Sequence, residues 1–169
     1  SKSWDSSLPR MVSWVKLQDL KSTQAKPIVY FNTHFDHRGK VARLKSAQLL
    51  RRKAAEIGLG CRVVISGDFN AGEGSEPYNA LFAITPNEIE LADTFRVKYP
   101  ERKPGEGTFS GFKANSNQGE RIDWIACSTD FKVNDAGIDR TNRDGRTASD
   151  HFAIFAILSS PTVIGESSQ

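Results

Sequence analysis

Two short segments of this chain place carboxylates beside an amide or an imidazole where a strand should end. Ser66-Gly67-Asp68-Phe69-Asn70 follows the β-type run Arg62-Val63-Val64-Ile65, and Ser149-Asp150-His151 precedes Phe152-Ala153-Ile154-Phe155-Ala156-Ile157. Runs of Val, Ile and Phe bounded by turn residues read as strands, and a strand end holds its side chains rigidly beside solvent. Carboxylates in that position can hold a hard divalent cation, and an imidazole or amide can address a phosphate oxygen. Two further segments are built the same way. Asn32-Thr33-His34-Phe35-Asp36-His37 follows Ile28-Val29-Tyr30-Phe31, and Arg121-Ile122-Asp123-Trp124-Ile125 sets an acid inside an apolar run. An Asp buried between Ile122 and Ile125 requires a partner.

The elements that must position these groups are legible from periodicity. Residues 11–17 and 28–33 read as adjacent strands of a hairpin joined by the polar connection 18–27. The segment Lys40 to Ile57 reads as a helix, because Val41, Leu44, Ala47, Leu50, Ala54 and Ile57 recur every three or four positions. Gly58 terminates it. The basic run Arg51-Arg52-Lys53 reads as a solvated helix face, with a polyanion site as the other reading. A strand over 62–66 leads into Asp68, and a short helix is expected over 76–83. Residues 101–119 have loop composition around Thr108-Phe109-Ser110-Gly111-Phe112. Strands return at 121–127, 131–138 and 152–158, separated by a charged loop at 141–147, and 159–169 reads as a frayed tail. The fold class is α/β (α+β), a mixed sheet with helices on one face.

At 169 residues and 38% hydrophobic content, the chain suffices for one globular domain with a sizeable core. The formal charge is only +3, from 23 basic against 20 acidic residues, so charge alone does not point to nucleic acid. No apolar stretch approaches the roughly 18 residues that cross a bilayer. Cys61 and Cys127 lack metal-binding spacing and read as buried free thiols, with a bridge between them as the other arrangement.

Taken in order, Asn-Thr-His, Gly-Asp-Phe-Asn, Arg-Ile-Asp and Ser-Asp-His resemble the endonuclease/exonuclease/phosphatase superfamily, the DNase I-like metal-dependent phosphodiesterases and phosphomonoesterases. The resemblance spans about Trp4 to Leu158. It implies a four-layer α/β/β/α sandwich in which residues 1–158 form the C-terminal half. Members of the superfamily are usually longer, and their first half supplies a strand-end Asn and a metal-binding Glu that do not occur here. The expected partner is that N-terminal half, or a second copy through dimerisation or swapping, which would cover an otherwise open sheet.

The resemblance also implies roles. Asp68 orients or deprotonates the attacking water and touches a Mg²⁺ or Mn²⁺ ion, for which Asp150 is the other ligand. Asn70 donates to the phosphate, His151 faces the scissile phosphate, and Asp123 bonds His151 and keeps it protonated. His34 binds the phosphate or protonates the leaving oxygen, with its usual acidic partner in the other half of the domain. His37 and Arg43 resemble pattern residues of one subfamily that support the site or read substrate, with a solvated helix start and face as the other reading. From the residues themselves, Arg10 reads as a phosphate contact or as surface charge, and Phe109, Phe112 and Trp124 as lining a substrate slot, with core packing the other reading of Trp124. The activity implied is metal-dependent hydrolysis of a phosphate ester drawn from nucleic acids, nucleotides or phospholipid head groups. The rivals are a catalytically incomplete fragment, a non-catalytic phosphate- or polyanion-binding module, and a metal-free hydrolase using His and Asp as acid and base.

Overall fold

The computed structural model describes residues 2–22, 25–86 and 88–160. The tail expected at 159–169 lies outside the described residues from 161 onward. In chain order the elements are β1 (Val12–Leu17), β2 (Ile28–His34), α1 (Lys40–Ile57), β3 (Arg62–Asp68), α2 (Glu76–Leu81), β4 (Leu91–Asp93), α3 (Thr94–Lys98), β5 (Asp123–Ser128), β6 (Lys132–Asp139) and β7 (Ala153–Ser159). Five strands make one mixed sheet in the order β1-β2-β3-β5-β4, and β6 and β7 form a separate antiparallel pair. The β2 to β3 pairing is parallel, bridged by α1, while β1 and β5 run antiparallel to their neighbours.

Alternation along β2 and β3 decides the layers. Val29, Phe31, Val63 and Ile65 point to one face and are fully buried against Ala47, Leu50 and Ala54 of α1. The other face carries Tyr30, Asn32, Val64, Ser66 and Asp68, and with Ile154, Ala156 and Leu158 of β7 it walls a cleft of about 540 Å³ between the two sheets. Edge strand β1 is exposed along its whole length, including Trp14, Val15 and Leu17.

The helix expected over Lys40–Ile57 forms with those bounds. Its amino end is capped from a distance, Asp5 Oδ1 accepting Ala42 N–H at 2.7 Å and Asp5 Oδ2 accepting Val41 N–H at 3.2 Å. Arg51 does not face solvent. It is buried, with Nε 3.2 Å from Glu88 and Nη2 donating to Ile89 O, because α1 turns that side toward the 88–89 loop. The sequence did not mark β4 and α3, at three and five residues too short to establish a period. The one local signal for α3 is its N-cap, Asp93 Oδ1 accepting Phe95 N–H at 3.0 Å.

Both cysteines are free. Cys127 is buried and Cys61 only partly so, and burial first, then the charges of Asp130 and Asp93, push the Cys127 thiol up to about 11.

Candidate active site

Strand register assembles the site. His34 ends β2 directly opposite Asp68 at the end of β3, and Asp68 pairs in turn with Asp123 at the start of β5. Three chemically active side chains therefore lie in one row across the sheet, on the face that opens to the cleft. Gly67 is needed for this approach: a Cβ there would sit 2.1 Å from Thr33 O on β2. The strand ends at Asp68 and does not carry Asn70 on the same pleat. Asn70 adopts a left-handed φ of 49°, with its N–H bonded to Asp68 Oδ1 at 2.8 Å, an Asx turn that fixes the carboxylate. The Asn70 amide donates to Phe35 O at 3.0 Å and to Asp68 Oδ2 at 3.3 Å, so it braces the site from within.

His151 reaches the row from the segment before β7. Its Nδ1–H donates to Asp123 Oδ2 at 2.8 Å, which turns Nε2 toward Asp68, 3.8 Å away. His34 Nε2 lies 3.2 Å from the same Asp68 oxygen, which gives it an acidic neighbour within this chain. Asp68, Asp123 and His151 each offer a ligand atom, and those atoms all lie within 4.8 Å of one another. Asp150 stands outside that trio. Its backbone carbonyl accepts Ser110 N–H and Gly111 N–H, and its carboxylate takes Ser149 Oγ at 3.3 Å.

The electrostatics follow from crowding. Burial raises the Asp68 carboxyl and the Asp123 charge raises it further, against the Asn70 N–H and the two imidazoles. For His151, burial opposes the charge, but the bond and charge of Asp123, with Asp68 and Asp150 behind it, raise the imidazole above its ordinary value. A proton-seeking carboxyl and a charge-holding imidazole stand side by side.

The remaining candidates separate. Phe109 and Phe112 are about half exposed at the rim, and the Phe109 ring meets His151 edge-on at 5.3 Å. Trp124 does not line a slot. It is fully buried, stacked on Phe69 at 4.2 Å, with its indole N–H given to Arg121 O, because alternation along β5 sends it to the face opposite Asp123. Arg10, His37 and Arg43 gather around Asp36. Arg10 Nε is 3.6 Å from its carboxylate, Arg43 Nη1 donates to its carbonyl, and Arg10 Nη2 meets His37 Nδ1 at 3.2 Å.

Asp36 was missed as a candidate, although it organises this corner. Buried, it accepts N–H groups of Leu8, Ser7, Arg38 and Gly39 and the Ser7 hydroxyl, and these bonds outweigh burial to hold it well below the carboxylate range. A second missed group is the ionic bracket under Arg-Ile-Asp, where Arg121 pairs with Asp93 and Glu73, and Arg96 pairs with Glu73 and Glu106. Nothing in the local sequence signals it, since its members come from four separate segments.

Residues 11–151 match the Endonuclease/Exonuclease/phosphatase family. The chain belongs to this family. Among solved structures it is similar to a mannosyl-6-phosphatase of Bacteroides thetaiotaomicron, at 33% identity and a TM-score of 0.78 over 94% of this chain and 60% of that one. A family protein of Bacteroides vulgatus is similar at 31% identity and TM-score 0.78, over 95% of this chain and 59% of the other. The catalytic domain of human Nocturnin, at 19% identity and TM-score 0.70 over 89% of this chain and 53% of that domain, shares the fold. The chain thus spans about 60% of the length of the bacterial structures it resembles. No protein of curated function matches it by sequence. The family and these neighbours place the chain in the DNase I-like fold. No helix among the described residues is long and apolar enough to cross a membrane.

Proposed function

We propose that this domain serves a divalent-metal-dependent phosphoric ester hydrolase in which water attacks phosphorus in line. The observation that carries the reading is the trio of Asp68, Asp123 and His151 converging within 4.8 Å at the ends of three segments. The two carboxylates fit a hard cation, and burial and the Asp123 charge, which raise the Asp68 carboxyl, favour a cation beside it. Asp68 and Asp123 would hold Mg²⁺ or Mn²⁺, with Asp150 nearby as a further donor. When bound, the ion neutralises phosphate charge and acidifies water.

The side chains supply the rest. Asp68, held in place by the Asn70 N–H, accepts the proton of the attacking water. His151, held charged by Asp123, directs Nε2 at the phosphate oxygens as they gain charge. His34, exposed and 3.2 Å from Asp68, delivers a proton to the leaving oxygen. The half-exposed Phe109 and Phe112 contact the ester's organic group, while Arg10, His37 and Arg43 act on the substrate only through the corner they hold with Asp36.

We also propose that the cleft and the apolar β1 edge are covered, in the working enzyme, by a further stretch of the same domain. Exposure of Met11, Trp14, Val15 and Leu17 supports this, since such a surface is costly in water. Dimerisation through the same edge is the other arrangement.

The test is hydrolysis of nitrophenyl phosphate, bis-nitrophenyl phosphate, mannose 6-phosphate and single-stranded DNA with Mg²⁺, Mn²⁺ or EDTA, by this chain and by an N-terminally extended form. Metal-dependent turnover that disappears in Asp68→Ala and His151→Ala, both still folded, supports the reading. Turnover that survives EDTA overturns the metal; inactivity of both forms leaves a phosphate-binding module.

A further inference from the structure

Thr108-Phe109-Ser110 sits on a loop of the rim, yet its two hydroxyl residues are wholly buried. Thr108 joins two parts of the site that are distant in sequence. Its Oγ1 accepts the N–H of Ile122 at 3.0 Å and of Asp123 at 3.2 Å, and its carbonyl accepts the N–H of Phe152 at 2.7 Å. One residue thus fixes the backbone of Asp123 on one side and the residue after His151 on the other. Ser110 fixes the third group. Its N–H donates to Asp150 O at 2.7 Å, and its hydroxyl donates to Ser149 O at 3.0 Å and lies 2.8 Å from Thr147 Oγ1. Between them Phe109 bridges His151 in an isolated antiparallel pairing and lays its ring edge-on to the imidazole.

Three successive residues therefore hold Asp123, His151 and Asp150, one each. We infer that Thr108 and Ser110 are positioning residues which set the Asp123 to His151 contact and the placement of Asp150 in the proposed hydrolase. Asp123 belongs to the five-stranded sheet, whereas His151 leads into the separate β6-β7 pair, so no shared strand ladder fixes their separation. The Thr108 bonds span that boundary. Two part-buried N–H groups also converge on one hydroxyl, so replacing it with a methyl removes the acceptor of both.

This inference rests on the proposed function for its kinetic reading but not for its structural one, and the experiment keeps the two apart. The variants are Thr108→Val, which conserves shape and removes the acceptor, Thr108→Ser, which restores it, and Ser110→Ala. The control is Thr94→Val, because Thr94 is equally buried and bonds Ile125 O on the same strand, away from His151. The first readout is the low-field imidazole N–H proton of His151 in the NMR spectrum, which reports the 2.8 Å bond to Asp123 with or without turnover. The second is kcat against KM for nitrophenyl ester hydrolysis by whichever form is active.

Thr108→Val is expected to lose or shift that proton and to lower kcat by about 10²-fold, as small misplacements of reacting groups do, with KM little changed. Thr108→Ser is expected to restore both, and Thr94→Val to alter neither. If Thr108→Val does not fold, Ser110→Ala carries the same two readouts. The inference is overturned if the proton and kcat survive in folded Thr108→Val, or if Thr94→Val changes them equally. A lost proton in a protein without hydrolytic activity sustains the positioning role and rejects only the hydrolase reading.

Discussion

Replacing Trp124 by Phe separates a core residue from a substrate-lining one. The indole is fully buried, stacked on Phe69 at 4.2 Å with 11° between the planes, and Tyr78 meets its edge at 5.1 Å. Phe keeps the stacking ring but removes the second ring and the N–H that bonds Arg121 O at 2.8 Å. The void left is about 40 Å³, which at about 24 cal/mol per Å³ costs about 1 kcal/mol. The buried carbonyl left unpaired costs about 1 to 3 kcal/mol more. The expected loss is about 2 to 4 kcal/mol, and with a urea slope of about 2 kcal/mol per M the midpoint falls by about 1 to 2 M. Urea denaturation followed by far-UV circular dichroism reads this directly. The contrast is Phe112→Ala, whose ring is 56% exposed: its midpoint is expected to move less, and its KM more. A Trp124→Phe midpoint within about 0.3 M of the parent, accompanied by weakened substrate binding, would refute the burial argument.

Asp36→Asn is expected to flatten the acid limb of stability. The folded carboxyl lies below its ordinary value of 3.8, so its stabilisation is present above that value and is lost as pH falls toward the folded one. Thermal unfolding between pH 2 and 6 checks it, and a parent and variant that lose stability in parallel would contradict the bracket around Asp36. Asp123→Asn is expected to act at the opposite end. The raised His151 imidazole stabilises the fold below 6.5 and that contribution fades as pH rises through the folded value, so the variant's unfolding temperature should change less across this window. An NMR titration of His151 should move downward in the same variant. Cys127, its thiol pushed up to about 11 and buried, is expected to react with a disulfide reagent at pH 8 far more slowly than the partly exposed Cys61. Equal rates at the two sites would show that β5 opens readily.

Much of the site was legible in the sequence, because its groups sit where a local pattern changes. Apolar runs that end in Asn-Thr-His or Gly-Asp-Phe-Asn announce a strand and its end within a few residues, and α1 shows its period over five turns. Those signals depend only on backbone repeat and turn chemistry, which neighbouring residues determine. They place His34, Asp68 and His151 beside strand ends, and the ordered resemblance to the family adds their roles and that of Asp123; these are groups the structure brings together.

Which strands become neighbours, and which face each side chain takes, are long-range outcomes. The order β1-β2-β3-β5-β4 and its register put His34, Asp68 and Asp123 in one row and send Trp124 into the core. Arg10 and Arg43 are charged residues whose destination, Asp36, is set by how the amino-terminal segment folds back over it. Thr108 and Ser110 look like ordinary loop residues until the two sheets meet around them. The chain alone determined which groups stand at strand ends, because that follows from local backbone geometry. Tertiary structure alone decided their partners, because a hydrogen bond between residues 108 and 123 exists only after distant segments have packed.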